Sequence, residues 1–275
     1  MSGIVHGCIV PHGYEVIPPL AGPEHEGFAP ISAGLAKVAE RLKAARPDVI
    51  VLATPHGFRV AGQVTVATNS FAHGRLGKFG HFVDVECACD RTFASALIEA
   101  ASAQDIPVKG AYFGSAQGDF SILPLDWGAV VPLWFFHEAL DYKPDVVILT
   151  PTRDAGLEPL VRLGHVIADV ATASDKRVAF VASADQGHAH DAEGPYGYHP
   201  ASKAYDEAVC EAIKRQDLAS LLALDPSFVD DAKPDSLWQI AILQGVLERS
   251  PMTGELYSYN VPTYYGMLCA NYERS

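Results

Sequence analysis

Two hydrophobic patterns alternate along the chain. Unbroken apolar runs such as Val49-Ile50-Val51-Leu52-Ala53 carry no charge and are rich in β-branched residues, as strands buried on both faces are. Between them, apolar residues recur at helical spacing. Residues 31–45 put Leu35, Val38 and Leu42 on one face, with basic residues near the end and Pro47 as the stop. Together with the apolar Ile9-Val10 run ahead of it, this predicts a strand, a helix and a strand. Residues 146–149, 158–171 and 177–183 repeat that order. Right-handed crossovers then place these strands in one sheet with helices on its faces.

Elsewhere the pattern is less regular. Residues 63–68 and 81–86 alternate as half-buried strands do, and the Gly-rich residues 72–80 between them read as a loop. Residues 91–103 form an amphipathic helix leading to a strand near 108–113. The apolar residues 129–136 contain Pro132, which makes them an edge strand or an interrupted element. Helices are expected at 202–214, 218–223 and 237–248, ahead of a Tyr-rich tail. Three polar stretches, 14–28, 114–128 and 184–199, read as loops, and loops of that length are often functional. The fold class expected is α/β: one domain over 1–275, a central mostly parallel or mixed sheet, helices on both faces, and a site at the carboxyl ends of the strands.

Composition narrows the function. With 275 residues and 49% hydrophobic content the chain can build one large core, and no apolar run reaches the length of a bilayer span. The start of the sequence has no basic segment ahead of an apolar core, so a cytoplasmic protein is expected. Five scattered cysteines without a Cys-x-x-Cys suggest neither a disulfide framework nor a zinc knuckle. The pair Cys87 and Cys89 reads as one buried strand face. A formal charge of −13 opposes nucleic acid and anionic membranes as partners and leaves a metal or small-molecule site open.

The chemistry concentrates at strand ends. Ile9-Val10-Pro11-His12-Gly13 and Leu52-Ala53-Thr54-Pro55-His56-Gly57 both leave a strand through Pro-His-Gly. Either histidine alone reads as a turn residue, but two imidazoles delivered by separate strands beyond their carboxyl ends suit a shared cation. A third strand ends in Ala182-Ser183-Ala184-Asp185-Gln186-Gly187-His188-Ala189-His190. His188 or His190 would complete a three-histidine zinc site, or His188 would stand beside a two-histidine metal as acid and base. Asp185 reads as a partner of such ligands or as an ordinary turn residue, and His190 and His199 also read as exposed loop histidines.

The two Pro-His-Gly motifs, Asp-x-Gly-x-x-Val-Pro-Leu from Asp126 to Leu133, and Ala-Ser-x-Asp-x-x-His from Ala182 to His188 occur in an order and spacing that resembles the class III extradiol ring-cleavage dioxygenases. These protocatechuate-type enzymes open catechols with O₂ at non-haem iron. The resemblance runs from about His12 to Leu247. It implies His12 and His56 as ligands of Fe(II), with zinc or manganese as alternative metals, and His188 as the acid/base. It implies a small aromatic diol and O₂ as substrates, and a homo-oligomer or a partner subunit.

The sequence departs from the family twice. Trp127 stands where members usually carry histidine, and Lys233-Pro234-Asp235 precedes the helix ending in Gly245-Val246-Leu247 where a glutamate ligand is usual. Asp235 is the expected third ligand, with an N-terminal helix cap as its other reading; Asp230 and Asp231 stand behind it, and Glu15 and Glu24 further off. Two other readings remain open at this point: a zinc hydrolase on the same ligands, and a non-catalytic relative acting as a subunit or binding protein. The aromatic segments 133–136 and 257–265 are expected in the core or at a subunit interface.

Overall fold

A computed structural model describes residues 2–274, the side chain of Glu24 excepted. The uncharged runs become the centre of the sheet. β1 (Gly3–Val10), β2 (Val49–Ala53), β8 (Asp145–Thr150) and β9 (Arg177–Ser183) lie parallel in the order β1-β9-β2-β8. Two further strands, β3 (Val64–Ala67) and β6 (Val108–Ala111), extend the sheet beyond β8, with β3 antiparallel to β8. On the other side the tail folds into a hairpin of β10 (Thr253–Asn260) and β11 (Met267–Glu273), with β11 antiparallel to β1. The sheet is therefore mixed, with a parallel centre, as expected.

Helices cover both faces. On one side α3 (Arg91–Ser102), α5 (Glu158–Ala173), α6 (Pro200–Arg215) and α8 (Leu237–Arg249) pack on Val51, Val147 and Phe180. On the other, α2 (His25–Ala45) and α4 (Trp127–Ala139) pack on Ile50, Leu52 and Val181. Successive strand residues thus supply opposite cores, which is why these strands read as uniformly apolar. No helix among the described residues is long and apolar enough to cross a membrane, and all five cysteines are free.

Three expectations are corrected. The residues expected as a loop at 72–80 mostly form β4 (Phe71–Lys78), which pairs with β5 (His81–Ala88) and with β7 (Ile122–Pro124) in a second, three-stranded sheet. Gly74 and Gly77 misled the reading. A Cβ on Gly74 would run into Leu125 and Val130, and one on Gly77 into the Phe82 ring, so both glycines serve close packing within a strand. The second correction is α4, expected as an edge strand or an interrupted element and in fact a helix that runs through Pro132. It is apolar on every side because it is buried on every side, and helical period is invisible in such a segment. Its residues Leu133, Phe135 and Phe136 are core.

Third, the first polar stretch is not one long loop. It holds a 3-10 turn (Tyr14–Val16), the short α1 (Pro18–Ala21) and a second 3-10 turn (Gly22–Glu24), and α2 starts at His25 with Pro30 inside it. The prolines hid a helical turn that tertiary packing enforces. A further short helix, α7 (Pro226–Ala232), also went unpredicted; it is capped by the Asp225 carboxylate, which accepts from the Ser227 and Phe228 amides, and it ends in the left-handed Lys233.

Candidate metal centre

Loops at the carboxyl ends of β1 and β2 bring His12 and His56 together. Their Nε2 atoms are 3.1 Å apart and their rings meet edge to face. Asp235, in the turn between α7 and α8, brings its Oδ2 to 3.2 Å from His12 Nε2 and 3.4 Å from His56 Nε2. One ligand atom from each of the three residues lies within 4.8 Å of the others, a spacing that a single cation of zinc or iron size spans. Asp235 is not a helix cap: Ser236 holds that position, while Asp235 Oδ1 accepts from the amide of Asp185 at 2.9 Å.

The tautomer of His12 follows from its surroundings. Pro132 has no N–H, so the carbonyl of Gly128, four residues earlier in α4, lacks the amide that would normally cover it. Ser183 at the end of β9 donates its hydroxyl to that carbonyl. With its proton committed, Ser183 Oγ accepts from His12 Nδ1 at 2.9 Å. His12 therefore keeps a proton on Nδ1 and turns Nε2 toward His56 and Asp235, the nitrogen that would take a metal once its own proton is lost.

Asp185 is closer to this point than the sequence reading placed it. Its Oδ1 accepts from the His12 amide at 3.1 Å and its Oδ2 lies 3.2 Å from His12 Nε2. Burial works to keep His12 neutral, but Asp185 and Asp235 outweigh it and raise the imidazole to about 9 in the metal-free protein. Asp185 itself is pushed up to about 6, by burial first and by Asp235, with His12 opposing. Burial raises Asp235 as well, yet His12 and His56 dominate and hold it well below the usual carboxylate range. The signal for Asp185 was its place three residues before His188 at a strand end, but residue type alone does not distinguish a turn carboxylate from one aimed at a ligand.

His188 lines the same cavity without joining the three-residue cluster. Its Nδ1 donates to the Gln186 carbonyl at 2.7 Å, which leaves Nε2 for proton exchange, and its ring stacks on Tyr265 with centroids 5.2 Å apart. Gly13 makes this possible: a Cβ there would strike the Tyr265 hydroxyl and Met267, so the tail closes over the site only above a glycine. Trp127 packs against His56 at 4.3 Å and forms part of the cavity wall.

Other candidates fall away. His190 pairs with the buried Asp206 at 2.9 Å, and His199 caps α6, where its Nδ1 accepts from the Ala201 amide. Asp230 pairs with Lys233 and Glu15 with Lys78, while Asp231 lies 3.9 Å from His199. The Glu24 side chain lies outside the described residues. The cavity is about 760 Å³, within the range of small-molecule sites, and Arg59, Arg153, Tyr196 and Trp238 also line it.

Comparison with known proteins bears on this arrangement. The family described as the catalytic LigB subunit of aromatic ring-opening dioxygenase matches residues 6–272. Protein CA_C1420 of Clostridium acetobutylicum is 25% identical over 253 residues, which cover 91% of this chain and 53% of that protein. The chain thus spans about half the length of that curated relative. A crystal structure of Escherichia coli K12 protein JW3007 shares the fold, with a TM-score of 0.57 at 13% identity over 97% of this chain and 99% of that one.

Proposed function

The chain belongs to the LigB family of aromatic ring-opening dioxygenase catalytic subunits, and on that premise we propose that it is a non-haem Fe(II) extradiol dioxygenase acting on a catechol-like or aminophenol-like ring. The observation that carries the proposal is the meeting of His12, His56 and Asp235, two imidazoles and one carboxylate, at the wall of a ring-sized cavity. That donor set suits non-haem iron with positions left open. His12, His56 and Asp235 would hold the iron, which would supply a redox-active centre open to a ring diol and O₂.

The protein's own part is positioning and proton transfer. His12 is held in its ligating tautomer by Ser183, and Asp235 is held by the Asp185 amide. His188 Nε2 takes the proton of the ring hydroxyl as the diol becomes a better electron donor, and returns a proton as the O–O bond breaks. Tyr265 stacked on its ring limits its movement. Trp127, in the place of the family histidine, packs on His56 and narrows the cavity beside it.

The test is O₂ uptake with a panel of catechols and aminophenols, using protein purified without oxygen and loaded with Fe(II) or, separately, Zn(II). Consumption of one O₂ per ring opened with iron alone is expected. Hydrolysis of ester or amide substrates by the zinc form, without O₂ uptake by the iron form, would overturn the proposal.

A further inference from the structure

The inward stripe of α6 carries one charged residue. Tyr205, Val209, Cys210 and Ile213 recur there at helical spacing, and Asp206 stands among them fully buried. A carboxylate in such a place is costly unless donors surround it. Three do. The Gly187 amide donates to Oδ1 at 2.7 Å, while the Tyr259 hydroxyl and His190 Nε2 each donate to Oδ2 at 2.9 Å. Asp206 therefore ties α6 to β10 and to the loop that follows β9.

The Gly187 contact leads to the chemistry. A trans peptide is planar, and its N–H and C=O point in opposite directions. In the peptide between Gln186 and Gly187, the N–H donates to Asp206 and the carbonyl accepts from His188 Nδ1 at 2.7 Å. One peptide unit thus joins the buried carboxylate to the imidazole through two hydrogen bonds. Negative charge at the N–H end polarises the amide and makes its carbonyl the better acceptor. Which histidine nitrogen keeps the proton is set by the partner of that nitrogen. The other amides from Asp185 to His190 are bonded as well, to Asp235, Gly266, Ala232, Ser202 and Tyr264. Only that of Gly187 shares a peptide with the carbonyl that holds His188.

Resting on the reading of His188 as the acid/base, we infer that Asp206 is its positioning residue. Through the peptide between Gln186 and Gly187 it keeps the His188 proton on Nδ1 and leaves Nε2 free to take the proton of the ring hydroxyl. Asp206 lies outside the cavity wall, so its effect on the ring passes through His188. It does across a peptide what an aspartate bonded directly to a histidine does in a catalytic triad.

The experiment reads the tautomer apart from turnover. The full chain is labelled with ¹⁵N, loaded with Zn(II) as a diamagnetic ion, and studied by NMR. Long-range imidazole couplings show which nitrogen of His188 carries the proton, with His188→Phe assigning its signals, and the amide spectrum follows Gly187. In the wild type the proton is expected on Nδ1 and the Gly187 amide far downfield. Asp206→Ala should mix the two tautomers and, in the iron-loaded enzyme, lower kcat about 10- to 100-fold with KM little changed, the worth of a hydrogen bond to a charged group. Asp206→Asn keeps a neutral acceptor of the same size. It should retain the Nδ1 tautomer, move the Gly187 amide upfield and lose less rate. Tyr259→Phe removes a partner of the other oxygen and should leave both tautomer and kcat as in the wild type.

A wild-type His188 protonated on Nε2, an unchanged tautomer in folded Asp206→Ala, or a change in Tyr259→Phe as large as in Asp206→Ala overturns the inference. Where Asp206→Ala does not fold, an Asp206→Asn protein with the wild-type Gly187 amide and kcat overturns it. O₂ uptake by the iron-loaded wild type is read separately. A tautomer that depends on Asp206 without O₂ uptake removes the dioxygenase reading and leaves the positioning; ring opening by Asp206→Ala at the wild-type rate does the reverse.

Discussion

Ser183 receives the Nδ1 proton of His12 because its own hydroxyl is committed to a carbonyl that Pro132 has left open. A proline in α4 thus fixes an imidazole just beyond β1 through a serine on β9. Ser183→Ala is expected to keep the fold and to weaken metal binding about 10- to 100-fold, the usual effect of removing a group that orients a ligand. Calorimetric titration with Co(II) checks it, and an unchanged affinity would show that His12 needs no such support.

Asp235 and Asp185 both approach His12 Nε2, but only Asp235 also faces His56. Asp235→Ala should therefore abolish stoichiometric iron binding. Asp185→Asn, which keeps an oxygen for the His12 amide, should retain it at reduced affinity. The opposite pattern in metal analysis would make Asp185 the ligand.

The metal-free protein should depend on pH through His12, whose pKa rises from 6.5 to about 9 on folding. A group raised in this way stabilises the fold fully below pH 6.5 and loses its contribution as pH climbs through 9. The difference is about 3 kcal/mol, at 1.36 kcal/mol per pKa unit. Metal competes for the same nitrogen, so its affinity should rise over this interval while metal-free stability falls. Urea unfolding of the metal-free wild type and His12→Gln between pH 6.5 and 9.5 decides the first half. A wild-type slope no steeper than that of the variant would remove His12 as the cause.

His188→Phe should leave iron in place and slow ring opening about 10²- to 10⁴-fold, the usual contribution of a positioned acid/base. Loss of iron would make His188 a ligand. An unchanged rate would assign the proton transfer elsewhere.

Much of this was legible because strand ends announce themselves. The boundaries of β2 follow directly from an uncharged run, and the repeated Pro-His-Gly pointed to His12 and His56, which the fold places just beyond the ends of strands separated only by β9. What was not legible depended on tertiary context. The apolar α4 has no polar face to reveal its period, and the glycines of β4 answer to neighbours far along the chain. Asp185 read equally as a partner of the ligands or as a turn residue because nothing local distinguishes the two roles.

The central claim is that His12 and His56 share one iron. Its most direct test is iron stoichiometry after anaerobic loading with Fe(II) and gel filtration, measured on the wild type, His12→Ala and His56→Ala, with circular dichroism establishing that all three are folded. One iron per chain in the wild type and none in either folded variant is the predicted result; a full equivalent retained by either variant would contradict it.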